Sequence, residues 1–182
     1  MKTTLLAALL LGASTLAQAD TEAQEKLQAL EVLVKHSQTV ACDTTFEAHP
    51  GAAENYANIH TVERDAAGGW STYFILWGGD MGCNRGSGTS SYFVSEVGRY
   101  SASRPFLVRS NAAFGQVLGQ VVDPRFIRKL ERAGDRRFVI VSSEHAGNDP
   151  NNFPSNRYQY LLEQQQGTWR VTERKFLGKN RY

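Results

Sequence analysis

A glycine-rich segment between two strand-forming runs is the feature that most constrains how this chain folds. Residues 78–91 contain five glycines, one of the chain's two cysteines and an arginine. The runs on either side, residues 70–76 and 92–97, are rich in aromatic and β-branched residues, which favour strands. Glycine permits the positive φ angles that sharp reversals of the chain require. The pattern therefore predicts two strands joined by a tight, glycine-rich loop.

Strand-forming runs also account for most of the chain after residue 38. They occupy residues 39–49, 58–65, 69–77, 91–97, 105–110, 126–143 and 157–177, and turn-forming residues separate them. The last two runs each predict a hairpin, the first of which turns at residues 133–135. The alternative for its first arm is a short helix after Asp123 and Pro124. About eight or nine strands joined mainly by hairpins predict a mainly β fold of the α+β class, an antiparallel meander forming a curved sheet or a partly closed barrel.

Residues 20–38 carry the clearest helix signal. Asp20 or Thr21 can cap the helix, and acidic residues fill its first turn. Apolar residues recur at the spacing of one helix face, at Ala23, Leu27, Leu30 and Val34. We therefore predict one N-terminal helix that packs on a face of the sheet.

The first 19 residues have the pattern of a secretory signal peptide. A lysine at position 2 precedes an apolar run over residues 5–11, and Ala17 and Ala19 indicate cleavage after residue 19. The apolar run is too short for a membrane anchor. These features predict that residues 20–182 are exported to the periplasm as a single globular domain without a membrane span.

Cys42 and Cys83 are the two cysteines of the chain. In an oxidising compartment an even number of cysteines predicts disulfide bonding, here a bond between Cys42 and Cys83 that fixes the glycine-rich segment to an early strand. The alternative is a reactive thiol paired with a histidine.

The two halves of the exported chain differ in charge. Residues 20–96 include 4 basic and 11 acidic residues, whereas residues 99–182 include 15 basic and 7 acidic ones. Two interpretations stay open: the halves neutralise each other within one fold, or the second half forms a basic face toward an acidic partner. Arg99, Arg104 and Arg109, at five-residue spacing, are candidates for such a face. Export argues against a nucleic-acid partner.

The segment after Cys83 is a candidate binding element. It lacks the lysine of a nucleotide-binding loop and runs into a strand rather than a helix, so it does not match a phosphate-binding loop. A disulfide would hold its base and leave its polar tip exposed. The predicted binding residues are therefore Asn84, Arg85, Ser87, Thr89 and Ser90 of this segment, together with Arg104 and Arg109.

The sequence has no Gly-x-Ser-x-Gly, His-x-His, Cys-x-x-Cys or His-Glu-x-x-His pattern. We therefore predict no catalytic residue, metal or cofactor. The prediction is a binding protein that docks on another envelope or secreted protein with an acidic surface, as an inhibitor or an immunity-type protein does. Two alternatives stay open: a small hydrolase of an envelope polymer, and a small-ligand carrier with a cavity lined by Trp70, Trp77, Tyr92 and Phe93.

Overall fold

A computed structural model describes residues 20–48, 53–86 and 88–180 of the chain. The predicted signal peptide, residues 1–19, lies outside these ranges, as does Ser87 of the predicted binding segment. Within the described ranges, no helix is both long and apolar enough to cross a bilayer.

Most of the regular structure is β-sheet. The helices are α1 (Glu22–Val40), α2 (Thr45–Ala48), α3 (Ala53–Ala57) and α4 (Val117–Gln120), and a 3-10 helix spans Pro124–Phe126. The strands are β1 (Ala41–Cys42), β2 (Ile59–Asp65), β3 (Trp70–Met81), β4 (Ser91–Arg99), β5 (Leu107–Ser110), β6 (Ile127–Gly134), β7 (Arg137–Glu144), β8 (Asn156–Gln165) and β9 (Thr168–Lys179). Strands make up 48% and helices 21% of the described residues, which confirms the predicted mainly β class.

The first sheet contains β1 to β5 and is antiparallel. Its order is β1-β3-β4-β5, and β2 pairs with β3 beside β1. β1 and β2 share one edge of the long strand β3, since Ala41 pairs with Met81 near its end and Asp65 pairs with Trp70 at its start. The sheet curls into a half-barrel and α1 packs on it, which confirms the predicted curved sheet with an N-terminal helix.

Strand β3 is buried on both faces and forms the middle layer of the fold. Side chains alternate between the two faces of a strand, so Tyr73, Ile75 and Trp77 join the core beneath α1. Phe74 and Leu76 point the other way and join the core between the two sheets. This double burial explains the nearly continuous apolar run in the sequence.

The second sheet is the antiparallel meander β6-β7-β8-β9. β6 pairs with β7 and β8 pairs with β9, so both predicted hairpins are confirmed, and the turn of the first lies at residues 135–136. The alternative for the first arm, a short helix after Asp123 and Pro124, is present only as the 3-10 helix Pro124–Phe126, and strand β6 follows it. The Asp123 carboxylate caps this helix by accepting a hydrogen bond from the Arg125 amide (2.9 Å).

The strand predicted over residues 39–49 is confirmed only at Ala41–Cys42 and is wrong for the rest of residues 39–48; residue 49 lies outside the described residues. Here α1 continues into the run, the strand is limited to Ala41–Cys42, and α2 begins at Thr45. The Thr44 hydroxyl accepts a hydrogen bond from the Glu47 amide (3.3 Å), and the Glu47 carboxylate accepts one from the Thr44 amide (3.4 Å). Such reciprocal capping, with Glu three residues after Thr, starts a helix instead of a strand.

Helix α1 begins close to where the sequence predicts but buries a different face. Thr21 caps the helix in a reciprocal pair with Gln24. Leu27, predicted to face the sheet, is 56% exposed. The positions that are buried are Glu25, Ala29, Leu33 and Ser37. Leu30 and Val34 of the predicted face are half-buried against the core, whereas Ala23 and Leu27 are exposed. The buried face is rotated from the predicted one because a pattern of apolar residues treats Glu25 as a solvent-exposed side chain.

A buried ionic cluster accounts for the orientation of α1. Glu25 is 2% exposed, and its Oε1 lies 2.9 Å from Arg64 Nη2 and 3.1 Å from Arg99 Nη2. The Tyr73 hydroxyl donates to Glu25 Oε2 (2.7 Å). Arg99 also binds the carboxylate of Asp20 (2.9 Å). A carboxylate is tolerated in the interior only when it is paired and hydrogen-bonded, so these partners fix which face of α1 meets the sheet.

Candidate functional site

A disulfide bond anchors the glycine-rich segment at one end of the first sheet. Cys42 and Cys83 are joined, with an S–S distance of 2.09 Å and a Cα–Cα distance of 5.2 Å, which confirms the predicted bond. Because Cys42 lies on β1, the bond attaches residues 82–86 and 88–90, which we call the anchored loop, to the edge of the sheet. Both cysteines are exposed.

Hydrogen bonds around Asp80 fix the base of the anchored loop further. The Asp80 carboxylate, 3% exposed, accepts a hydrogen bond from the Arg85 amide (2.8 Å). The Asp80 carbonyl accepts one from the Cys83 amide (3.1 Å), and the Asn84 side chain donates to the Met81 carbonyl (3.3 Å). These bonds close a compact turn in which Cys83 and Arg85 have positive φ angles of 55° and 54°.

The tip of the anchored loop presents polar side chains to solvent. Asn84, Arg85 and Ser90 are exposed. Thr89 is half-buried and its hydroxyl donates to the Gly86 carbonyl (3.0 Å). Within the described part of the chain, the Arg85 guanidinium has no ion-pair or hydrogen-bond partner. The loop thus combines a fixed base with an exposed, unpaired cation.

Arg125 lies beside the anchored loop, although no pattern in the sequence connects the two. A Cβ atom added at Gly88 would lie 3.2 Å from Arg125 Nη2. Arg125 donates hydrogen bonds to the side-chain oxygens of Asn151 (3.3 Å) and Asn152 (2.9 Å). Its guanidinium also lies 4.9 Å from the centre of the Phe126 ring. One surface therefore contains the anchored loop, a second and fixed arginine, and the connection between β7 and β8.

A cavity of about 410 Å³ is lined by Trp77, Tyr92 and Arg128, among other residues. Tyr92 is two residues beyond the end of the anchored loop, so the cavity lies near this surface. Trp77 and Tyr92 are two of the four aromatic residues that the carrier alternative requires. The other two do not line this cavity: Trp70 is 38% exposed at the start of β3, and Phe93 packs against Trp77.

Arg104 and Arg109 lie away from the anchored loop. Strand β4 (Ser91–Arg99) starts beside the loop and runs for about 26 Å at 3.3 Å per residue, and Arg104 follows its far end. Arg109, on β5, lies 3.4 Å from Glu96 Oε1, and its guanidinium is 4.5 Å from the centre of the Tyr100 ring. The structure therefore does not bring these two arginines together with the loop residues.

Among the described residues, no histidine is hydrogen-bonded to a serine or a carboxylate. His36 contacts the Asn111 side chain (3.0 Å). Ser95 belongs to the same network, but its hydroxyl donates to Asn111 (2.9 Å) and accepts from Trp77 (2.8 Å), so it serves a structural role. In the described ranges, no group of three or more His, Cys, Asp and Glu side chains is placed to hold a metal ion.

The candidate site is thus the anchored loop with Arg125 beside it and the Trp77 cavity nearby. Its description rests on geometry and chemistry, because comparison of the chain with family models, curated proteins and solved structures gives no match.

Proposed function

We propose that the chain is an exported periplasmic binding protein that docks on another envelope or secreted protein through the anchored loop, as an inhibitor or an immunity-type protein does. One observation carries the proposal: the disulfide and the Asp80 hydrogen bonds hold a loop whose Arg85 guanidinium has no partner within the described residues. A disulfide is also typical of proteins in oxidising, extracytoplasmic compartments.

A fixed loop suits protein docking for an entropic reason. Ordering a flexible loop on binding costs conformational entropy, and that cost is smaller when the loop is already held in shape. Cys83 and Arg85 also have positive φ angles, which residues other than glycine adopt only where their surroundings impose them. The disulfide, the Asp80 hydrogen bonds and these φ angles limit the shapes that the base of the loop can adopt, so less ordering is needed when a partner binds.

An acidic surface is the partner chemistry that fits this loop. Arginine binds a carboxylate through two parallel hydrogen bonds. Arg125 is already positioned by Asn151 and Asn152, whereas Arg85 lacks a counter-ion within the described chain. A carboxylate of the partner at Arg85 would supply the ion pair that the fold itself does not form.

The proposal is tested by capturing the partner and measuring its affinity for an Arg85 variant. Residues 20–182, with the disulfide intact, serve as bait in envelope and culture extracts, and mass spectrometry identifies the captured protein. In Arg85→Ala we expect the affinity to fall about 30-fold, which corresponds to the roughly 2 kcal/mol of an interface hot spot. The free energy of unfolding should change by no more than about 0.5 kcal/mol, as at other surface sites.

Arg104→Ala is the matched control, because Arg104 is also exposed and lies beyond the far end of β4. This variant should bind the partner as the unchanged chain does. If Arg104→Ala lost binding and Arg85→Ala kept it, the interface would lie at the connection between β4 and β5 and not at the anchored loop. Full binding by both variants would reject the loop as the docking element.

A further inference from the structure

Strand β9 forms one edge of the second sheet, and its outer side is open. In the order of that sheet β9 is the last strand, and it pairs with β8 alone. Outside the strand ladders, the described residues form no backbone–backbone hydrogen bond that involves β9. The backbone groups that point away from β8 are therefore unpaired with the rest of the described backbone. A free edge of this kind can add a further strand.

A cavity of about 930 Å³ follows the first part of this edge. Four consecutive residues of β9, Thr168–Val171, line it, and residues 113–117 line its other side. Consecutive side chains of a strand point to opposite faces, so a space that touches all four residues runs along the strand edge. The space beside the start of β9 is therefore open to an extended chain.

The open edge is basic. Residues 170–179 contain four basic residues and one acidic residue. Of the basic ones, Arg174 pairs with Glu144. Arg170, Lys175 and Lys179 are exposed and form no ion pair within the described ranges. An added strand would thus meet three cations that the fold does not balance.

Strand β6, at the opposite edge of the same sheet, differs in this respect. Lys129 lies 2.5 Å from Glu131, and Arg132 lies 4.0 Å from Asp135. The charges of these side chains are balanced within β6 and the turn that follows it. Of the two edges of the second sheet, β9 is therefore the one that attracts an anionic chain.

The two faces of β9 present different side chains to a neighbouring strand. Val171 pairs with the buried Leu162 and belongs to the face that packs on the core. Arg170 pairs with Glu163, and Lys175 pairs with Gln159. Directly paired residues share a face of a sheet, and these pairs alternate with the core-facing ones. An added strand with apolar residues on one face and carboxylates on the other would match both.

The charge of β9 also argues against a second copy of the chain as the occupant. Pairing of β9 with β9 of another copy would bring two basic strands together, and like charges on neighbouring strands repel. Basic side chains on a free edge are a common protection against such self-pairing. An acidic strand has the opposite property, because its carboxylates would balance the unpaired cations.

We propose that the outer edge of β9 binds an extended acidic segment of a partner protein by strand addition. The backbone of the segment pairs with β9, beginning in the cavity beside Thr168–Val171, and its carboxylates lie beside Arg170 and Lys175. Strand β9 shares no residue with the anchored loop, so this proposal stands independently of the docking proposal.

A model peptide of alternating valine and glutamate tests the proposal. About seven residues, acetylated and amidated at the ends, span about 23 Å at 3.3 Å per residue. Isothermal titration calorimetry with residues 20–182 should show saturable binding. A peptide with lysine in place of glutamate should not bind. A peptide with proline in place of the central valine should bind at least about tenfold more weakly, because proline cannot donate a ladder hydrogen bond.

Hydrogen exchange locates the added strand. Saturation with the glutamate peptide should slow the exchange of backbone amides in β9, because strand addition gives its outward N–H groups a partner. Binding through side chains alone would leave these amides unprotected. Slower exchange in β6 and not in β9 would overturn the assignment to this edge.

Lys175→Glu should weaken binding of the glutamate peptide about fivefold, because one cross-strand attraction becomes a repulsion. Lys129→Glu is the matched control, since Lys129 is an exposed lysine on the opposite edge of the same sheet. It should bind the peptide as the unchanged chain does. Equal losses in the two variants would show attraction to the overall charge and would overturn the proposal.

Two further results would overturn strand addition: no binding of the glutamate peptide at millimolar concentration, and equal affinity for the proline peptide. Partner capture gives an independent readout. Lys175→Glu should keep the affinity for the partner of the anchored loop, and Arg85→Ala should keep the affinity for the peptide. The failure of one proposal is therefore distinguishable from the failure of the other.

Discussion

Glu25 decides which face of α1 meets the sheet, and its charge makes this possible. Burial by itself raises the pKa of this carboxyl, but hydrogen bonds from Arg64 and Tyr73 and the positive charge of Arg64 outweigh burial and hold the pKa below its usual value. The carboxylate therefore stays ionised inside the fold at neutral pH and binds Arg64 and Arg99 as an anion. Loss of this charge would leave Arg99, which is 4% exposed, with Asp20 as its remaining ion-pair partner among the described residues.

Glu25→Gln should lower the free energy of unfolding by about 3 kcal/mol, because it removes the anion from between two arginines. Urea unfolding at neutral pH measures the change. Glu31→Gln is the control, since Glu31 pairs with Lys35 on the exposed side of the same helix. Its effect should be much smaller, and equal effects of the two variants would contradict a special role for Glu25.

The pH dependence of stability checks the same interaction. Because the folded pKa of Glu25 lies below its unfolded value of 4.5, the unfolded state binds a proton first as the pH falls. The stability that Glu25 contributes is therefore present above pH 4.5 and is lost as the pH falls through the lower, folded pKa. Stability should fall with pH in this range in the unchanged protein and fall less in Glu25→Gln.

The sequence indicates some residue roles and not others, for a physical reason. The pairing of Cys42 with Cys83 follows from residue type and compartment, because the chain offers a single pairing. The role of Glu25 does not follow, because its partners Arg64 and Arg99 lie on β2 and β4, far along the chain. Periodicity reports which side chains are apolar, but it does not report which charges are neutralised by distant residues.

At the scale of elements, the glycines of the anchored loop differ in their φ angles, and so in whether a residue with a side chain could replace them. Gly86 has a φ of +142°, a value that side-chain-bearing residues rarely adopt. Gly88 is not among the residues with positive φ, and a Cβ added there would meet the flexible end of Arg125. Gly82, with a φ of +82°, resembles Gly86 in this respect, so the conformation itself calls for glycine at these two positions and not at Gly88.

Gly86→Val should therefore lower the free energy of unfolding by about 1 to 3 kcal/mol, the usual cost of a strained backbone conformation. Gly88→Val should change it far less, because the added Cβ lies 3.2 Å from Arg125 Nη2 and needs this side chain to yield by only a few tenths of an ångström. Calorimetric melting of the two variants measures the difference. Equal reductions in Tm for the two variants would contradict this explanation. They would show that glycine is needed at both positions because there is no room for a side chain, and not because of the φ angle of Gly86.

Among the elements, strands after residue 58 were easier to predict than the segment around Cys42. Alternation of side chains is local and persists in any β arrangement, so β2 to β5 and both hairpins are visible in the sequence. The capping pair of Thr44 and Glu47 overrides the strand pattern around it. The sharing of one edge of β3 by β1 and β2 depends on contacts distant in sequence, and no local pattern indicates it.

For the molecule as a whole, the opposite charges of the two halves are partly neutralised within the fold. Arg99 binds Asp20 and Glu25, and Arg109 binds Glu96. Two of the three evenly spaced arginines thus pair with acidic residues of the N-terminal half. Of the two interpretations of the charge asymmetry, neutralisation within the fold applies to these residues.

The parts of the candidate site differ in how far the sequence could indicate them. The anchored loop is one continuous segment, so its glycines, its cysteine and its polar residues stand together in the sequence. The Trp77 cavity is lined by residues from α2, α3, β3, β4 and β6. Only folding brings these residues together, so no local motif marks the cavity.

Removal of the disulfide tests its contribution to the whole fold. Replacement of Cys42 and Cys83 by alanine should lower the free energy of unfolding by up to about 4 kcal/mol, the loop-entropy value for a separation of 41 residues. Urea unfolding measures this change. In the unchanged protein, an alkylating reagent should label neither cysteine until a reductant is added, and labelling of both without reductant would contradict the bond.

Strand β3 connects the anchored loop to the core between the two sheets. Phe74 in that core and Met81 at the base of the anchored loop lie on this strand about 23 Å apart, at 3.3 Å per residue. Because β3 contributes side chains to the cores on both of its faces, the base of the anchored loop continues the most deeply buried strand of the fold. A core substitution that shifts β3 would therefore also shift the loop, although the substituted residue lies far from it.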